Sequence, residues 1–242
     1  MAPTERAERG DLPVDGVLFD KDGTLFDFHK SWADWTADML LEQATLYGAV
    51  PQEVARAIGF DLPQRQFLPS SPIISGTTRA AAEALAVALN AADVDALERL
   101  LGIAAADVMQ VPAVHLEPFL TGLAAQGLAL GVMTNDSEYA AHAHLAAAGV
   151  KGHFDFIIGY DSGFGAKPAP EPLLAFAAQM RIAPARVAMV GDSLHDLIAG
   201  RAAGMRTIGV LTGLAQAAEL APFADVVLPH IGHIPEWLAG GG

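Results

Sequence analysis

After Val114 the chain alternates short apolar runs with stretches of helical periodicity, and that alternation restricts the fold more than any other feature. The runs fall at residues 128–133, 154–158, 187–190, 207–210 and 226–228, with helices expected between them at about 118–126, 137–148, 171–180 and 195–203. Short apolar strands separated by helices are the pattern of βαβ units, and so of a parallel sheet. One more largely apolar run, residues 14–19, stands far upstream. A lone strand is unstable, so this one has to join the same sheet. The stretch 28–111 supplies helices and no convincing strand alternation. Ser31 is expected to cap a helix running to Tyr47, where Gly48 stops it, and a second helix begins at Pro51. Residues 59–76, broken by proline and serine, read as loop; Thr77 or Thr78 opens a helix to about Asn90, and 93–101 adds another. The expected fold class is α/β. A doubly wound, Rossmann-like parallel-sheet core is built from residues 1–27 and 113–242, and an all-α domain, 28–112, is inserted after the first strand.

With 242 residues the chain can bury a sizeable core. Hydrophobic residues make up 52% of it, yet no apolar stretch reaches the roughly 18 residues that suggest a membrane span. Residues 1–13 are polar, lack the apolar segment of a secretory signal and are expected to form a flexible arm. The balance of 14 basic against 28 acidic residues, a formal charge of −14, disfavours nucleic acid and anionic membranes as partners. The lack of cysteine excludes a disulfide framework, thiolate metal sites and cysteine nucleophiles. A small-molecule substrate, a cytoplasmic location and a monomer or homodimer are the resulting expectations.

Polar groups follow four of the apolar runs. The first run ends in Asp20-Lys21-Asp22-Gly23-Thr24, two carboxylates separated by one residue and followed by a glycine that permits a sharp turn. In an open α/β sheet ligands bind beyond the carboxyl ends of the strands, which suits phosphate or metal chemistry; an Asp-Gly turn is the plain alternative. The run 130–133 leads to Thr134 and Asn135, ahead of a helix whose exposed N–H groups attract an anion or are simply capped. Lys167 lies in a proline-rich segment that restrains the backbone; it is either a fixed cation for a phosphoryl group or a solvated surface lysine. The run 187–190 ends in Gly191-Asp192-Ser193, with Asp196 four residues beyond Asp192. That spacing lets two acids hold a hard cation or serve a helix cap.

Taken in order, these segments resemble the haloacid dehalogenase superfamily in its phosphoglycolate-phosphatase-like branch. Asp20-Lys21-Asp22-Gly23-Thr24 matches the first motif of that family, Thr134 the second, Lys167 the third, and Gly191-Asp192-Ser193 with Asp196 the fourth. The inserted helices stand where the family carries a helical cap. The resemblance implies a phosphatase in which Asp20 attacks phosphorus to form an aspartyl-phosphate and Asp22 is the acid and base. Gly23, Thr24, Thr134, the Asn135 backbone N–H and Lys167 would hold the phosphoryl group. Mg2+ would be held by Asp20, the Asp22 carbonyl, Asp192 and Asp196. The dehalogenases of the family lack the second acid, so Asp22 points to phosphate esters.

The resemblance also implies that the cap sets specificity for a small phosphorylated metabolite. Lys30, Arg65 and Arg79, with His29, are the cationic candidates there, and a basic cap residue would suit a carboxylated substrate such as phosphoglycolate. The turn 75–78 offers hydroxyls. Lys21 is expected to point away from the site because neighbouring side chains on a strand alternate. His142 and His144, two apart on a helix, cannot share a face and are assigned no metal, nor are His230 and His233. His195 follows the metal motif closely enough to line an entrance. A phosphomutase of the same superfamily and a non-catalytic phosphoacceptor module are the competing readings.

Overall fold

The computed structural model describes residues 13–69, 71, 73, 74 and 76–240. Residues 1–12 of the expected N-terminal arm and Ser75 of the hydroxyl-bearing turn lie outside the described residues. In chain order the elements are β1 (Gly16–Phe19), α1 (Phe28–Tyr47), α2 (Pro51–Ala57), β2 (Phe60–Asp61), β3 (Gln66–Phe67), α3 (Thr78–Leu89) and α4 (Val94–Ala106). They continue with α5 (Leu116–Ala125), β4 (Ala129–Met133), α6 (Glu138–Ala147), β5 (Phe156–Ile158), α7 (Glu171–Met180) and β6 (Val187–Gly191). The last are α8 (Leu194–Ala202), β7 (Arg206–Val210), α9 (Ala217–Leu220), β8 (Val226–Leu228) and α10 (Ile234–Ala239).

A six-stranded sheet runs in the order β5-β4-β1-β6-β7-β8, and every pairing in it is parallel. β1 is central, bonded to β4 on one side and β6 on the other. The chain therefore builds outward from β1 in one direction and then returns to its other side, so the order reverses between β1 and β6. Such a switch point opens a crevice at the carboxyl ends of the strands. Alternation along β1 divides the sheet into two faces. Val17 and Phe19 pack with Leu120, Leu145 and Ile234 on one, and Leu18 packs with Leu173, Phe176 and Ala199 on the other. The inserted segment forms its own apolar cluster around Leu40, Val54, Leu85 and Leu97.

Three details depart from expectation. The insert is not all-α, because β2 and β3 pair antiparallel within the segment read as loop. The cap of α1 is Asp27, whose side chain accepts from Lys30 N, and Ser31 lies inside the helix. Ser31 is engaged otherwise: its hydroxyl donates to the Asp27 carbonyl and accepts from Val111 N. α4 also continues to Ala106, past the expected end near residue 101.

Gly131 in β4 lets Phe176 press onto the sheet. A Cβ at Gly131 would lie 2.7 Å from the Phe176 ring and 2.9 Å from Leu18 Cδ1. Both neighbours are fully buried and have little room to move. Gly131→Ala is expected to cost about 1–3 kcal/mol of stability. Urea denaturation should show a lowered midpoint with an unchanged slope.

Candidate active site

β1 delivers Asp20 to the carboxyl edge of the sheet, where its N–H donates to Val190 O of the neighbouring strand. The chain then turns back: Lys21 O accepts from both Leu25 N and Phe26 N, and Gly23 N donates to Phe26 O. Gly23 takes φ +79, and a Cβ there would run into the Asp192 carboxylate, as would one at Gly213. The two glycines are what let Asp192 sit buried against the turn. A Cβ at Gly191 would likewise strike Asp196.

Lys167 joins the strand ends. Its Nζ lies 2.6 Å from Asp20 Oδ1, 2.6 Å from Asp196 Oδ1 and 2.9 Å from Met133 O. Asn135 fixes the lysine backbone at both ends, its Oδ1 accepting from Lys167 N at 2.9 Å and its Nδ2 donating to Lys167 O at 3.0 Å. The peptide bond to Pro168 is cis. Asp196 is shared: its Oδ2 accepts from the N–H and hydroxyl of Ser193, closing a capping box at the start of α8. Helix capping and site building are thus one arrangement here.

Asp20, Asp192 and Asp196 are all buried and offer oxygens within 4.8 Å of one another. Their shared neighbour Lys167 supplies one positive charge. Burial, with Asp196 and Asp22 adding to it and Lys167 opposing it, pushes the Asp20 carboxyl up to about 7. Burial, with Asp20 and Asp196 adding to it, raises Asp192 well above the usual carboxylate range. The cluster holds more acid than a dry pocket with one ammonium can ionise. A hard divalent cation with oxygen ligands fits that donor set.

Lys21 does not point away from the site. It is completely buried, with Nζ 2.7 Å from Asp22 Oδ2, 3.1 Å from Asp136 Oδ2 and 2.8 Å from His144 Nδ1. Burial disfavours its charge, but Asp22 and Asp136 outweigh that and hold the ammonium above the ordinary lysine value. Burial would raise Asp22 too, yet Lys21, His144 and the indole N–H of Trp32 leave it lowered. Trp32 Nε1 donates to Asp22 Oδ1 at 2.8 Å. His144, held below its usual pKa by burial and by Lys21, donates from Nε2 to Ala105 O at 2.9 Å. Asp22 is thereby tied to the inserted helices through α1 directly and through His144 to α4.

One cavity of about 130 Å3 joins this floor to the inserted unit. Asp20, Asp22, Thr134, Asn135, Lys167, Asp192, His195 and Asp196 line it. The Thr134 hydroxyl accepts from Asp136 N, which leaves its proton to donate. Gly23 and Thr24 are not on the wall, because the turn spends the Gly23 N–H on Phe26 and buries the Thr24 hydroxyl without a partner. The Asp22 carboxylate is not in the three-acid cluster.

Lys30, Arg65 and Arg79 do not line the cavity either. Lys30 pairs with Asp27, Arg65 with Asp34 and Asp38, and Arg79 with Glu83, Asp95 and Glu98. Arg65 and Arg79 are drawn to acids of their own unit, and Lys30 to the capping Asp27 just before α1. Trp32, Asp136 and His144 were missed in the sequence, where only the burial-prone indole of Trp32 gave any signal.

Lys21→Met would leave Asp22 and Asp136 buried without their ammonium. A loss of about 3–5 kcal/mol is expected, read as a fall in the urea midpoint. A change within experimental scatter would show that the ion cluster contributes nothing to stability.

Known proteins resemble this chain in sequence and in fold. The pattern describing haloacid dehalogenase-like hydrolases matches residues 14–204. The phosphoglycolate phosphatase of Escherichia coli K12 is 38% identical over 99 residues, 41% of this chain and 39% of that protein. The phosphoglycolate phosphatase of Neisseria meningitidis is 37% identical over 127 residues, 52% of this chain and 54% of that one. The matches thus span about half, or less, of each relative. A predicted phosphoglycolate phosphatase from Haemophilus somnus shares the fold, with a TM-score of 0.72 and 20% identity over 94% of this chain and 99% of that one. Strand order, strand-end acids and the matched pattern together make this chain a member of the haloacid dehalogenase-like hydrolases.

Proposed function

We propose that the protein is a magnesium-dependent phosphatase that hydrolyses a small phosphorylated metabolite through an aspartyl-phosphate on Asp20, with residues 28–112 serving as the cap. The observation that carries the reading is the buried cluster of Asp20, Asp192 and Asp196 around the single ammonium of Lys167, on the floor of a cavity covered by helices. The phosphoglycolate phosphatases among the relatives point the same way.

Asp20 Oδ1 is held by Lys167, so Oδ2 is the atom that attacks phosphorus. The bond from phosphorus to the ester oxygen breaks as the new one forms. Thr134 donates its hydroxyl proton to a phosphoryl oxygen, and Lys167 offsets the charge that gathers as two anions approach. Asp22 gives a proton to the departing oxygen and takes one from the water that later cleaves the aspartyl-phosphate. Its resting form is ionised, which suits the second half; an arriving phosphoryl dianion raises its proton affinity for the first. Asp20, Asp192 and Asp196 would hold Mg2+, with the Asp22 carbonyl as the resemblance implies. When bound, the ion supplies Lewis-acid stabilisation of the phosphoryl oxygens and keeps Asp20 ionised.

Asp20→Asn is expected to lower turnover by about 10⁴-fold or more without lowering the melting temperature. The assay measures released inorganic phosphate, the product that separates a hydrolase from a mutase. Turnover near that of the parent protein would overturn the assignment.

The metal makes a second, separable prediction. In metal-free protein the folded-state pKa values of Asp20 and Asp192 lie above the unfolded one, so their contribution to stability is present below about pH 4 and is lost as pH rises through about 7. Mg2+ should offset that loss, and at a hundredfold excess over its dissociation constant it adds about 2.7 kcal/mol. The rise in melting temperature on replacing EDTA with Mg2+ is therefore expected to be larger at pH 8 than at pH 5. No rise at either pH would count against a cation site.

A further inference from the structure

The upper wall of the cavity differs in kind from its floor. Trp35, Met39, Ile58, Phe67, Leu85 and Leu101, from α1, the C-cap of α2, β3, α3 and α4, form most of it. The other polar side chains there are the hydroxyls of Thr36, Thr77 and Thr78. Among the described residues, Lys167 is the one lysine or arginine that lines the cavity, and it is already shared between two carboxylates. His195 belongs to the acidic floor at the start of α8. A carboxylate on the substrate would meet no cation on this wall, and burying an unpaired carboxylate is strongly unfavourable.

The wall is also part of the apolar cluster of the inserted unit. Protein interiors are close-packed and seldom leave voids larger than a water molecule. Here the cluster stays open, and the cavity of about 130 Å3 is shared between this wall and the catalytic floor. An apolar cavity of about 150 Å3 in another protein stays dry and takes up benzene. Trp32 and Trp35 meet edge to face at 5.4 Å, and the bond from Trp32 to Asp22 fixes the first ring. Rings in such a wall offer faces and edges against which an aromatic group can pack.

We infer that the ester cleaved at this site carries an uncharged, apolar leaving group no larger than one aromatic ring, held in the cavity between α1, α3 and α4. The inference rests on the phosphatase reading and departs from a phosphoglycolate-like substrate. It separates the two ends of the pocket: phosphoryl group on the charged floor, hydrocarbon against the helices.

Steady-state kinetics with benzyl phosphate, phosphoglycolate and acetyl phosphate test it. Benzyl alcohol and glycolate are leaving groups of similar acidity, so their ratio reports recognition and not intrinsic reactivity. Acetyl phosphate reports the phosphoryl chemistry with almost no leaving group to recognise. The expected result is a kcat/KM for benzyl phosphate about a hundredfold above that for phosphoglycolate. Ile74→Lys, which puts a cation at a half-buried position on the wall, should narrow or reverse that ratio. Should that variant fail to fold, the ratio in the parent protein decides alone. Equal or preferred turnover of phosphoglycolate, with acetyl phosphate also hydrolysed, overturns the inference and leaves the phosphatase reading standing. Turnover of none of the three in the presence of Mg2+ overturns both.

Discussion

The Lys167 ammonium is the point on which the site closes, because it lets Asp20 and Asp196 lie side by side without solvent. Each partner is delivered by a different strand end, and each is fixed by a second bond. Asn135 grips the lysine backbone, Val190 O holds the Asp20 N–H, and Ser193 binds the other oxygen of Asp196. Desolvation of such ions cancels much of their attraction, so the cluster is a poor source of stability. The stability comes from the two apolar faces of the sheet, where Phe19, Leu18 and Phe176 are fully buried. The sheet thus supports a pocket that stays acid-rich even with Lys167 in place.

A second ammonium does a different task. Lys21 is as buried as Lys167, but it holds Asp22 and Asp136 on the side of the cavity that meets the inserted helices. Through Trp32 and His144 the same small network holds Asp22 and also α1 and α4. The orientation of the proposed acid and base therefore depends on how the helices are seated. Tyr160, which donates to Glu98 at 2.6 Å, adds a contact between the two units outside that network.

How much of this was legible follows from the range of each signal. Buried parallel strands read as continuous apolar runs, so all six strands of the main sheet were placed within two residues of where they stand. β2 and β3 are two residues each, too short for alternation to show. Lys21 was misread because alternation assumes an extended chain, and the chain turns at that residue. Trp32 and His144 bond across 10 and 123 positions respectively, and nothing local marks such a partner. The charges of Lys30, Arg65 and Arg79 were plain, but their acids were not weighed. Arg79 with Glu83 and Lys30 with Asp27 have ordinary helix-neighbour spacing, whereas Arg65 reaches back to Asp34 and Asp38 through the fold.

The chain passes between the two units at Phe26 to Phe28 and again near Val111, and these crossings are bonded to each other. Asp27 N donates to Val111 O, Ala113 N to Leu25 O, and Val111 N to the Ser31 hydroxyl. The helices therefore hang from one narrow, doubly connected neck. Other contacts between the units, among them those at Trp32, His144 and Tyr160, are made by side chains and lie outside the chain's own ladder. On the phosphatase reading, the bond from Trp32 to Asp22 couples the seating of the helices to the orientation of the proposed acid and base, so that recognition by the apolar wall and chemistry at the strand ends are linked through one side-chain contact.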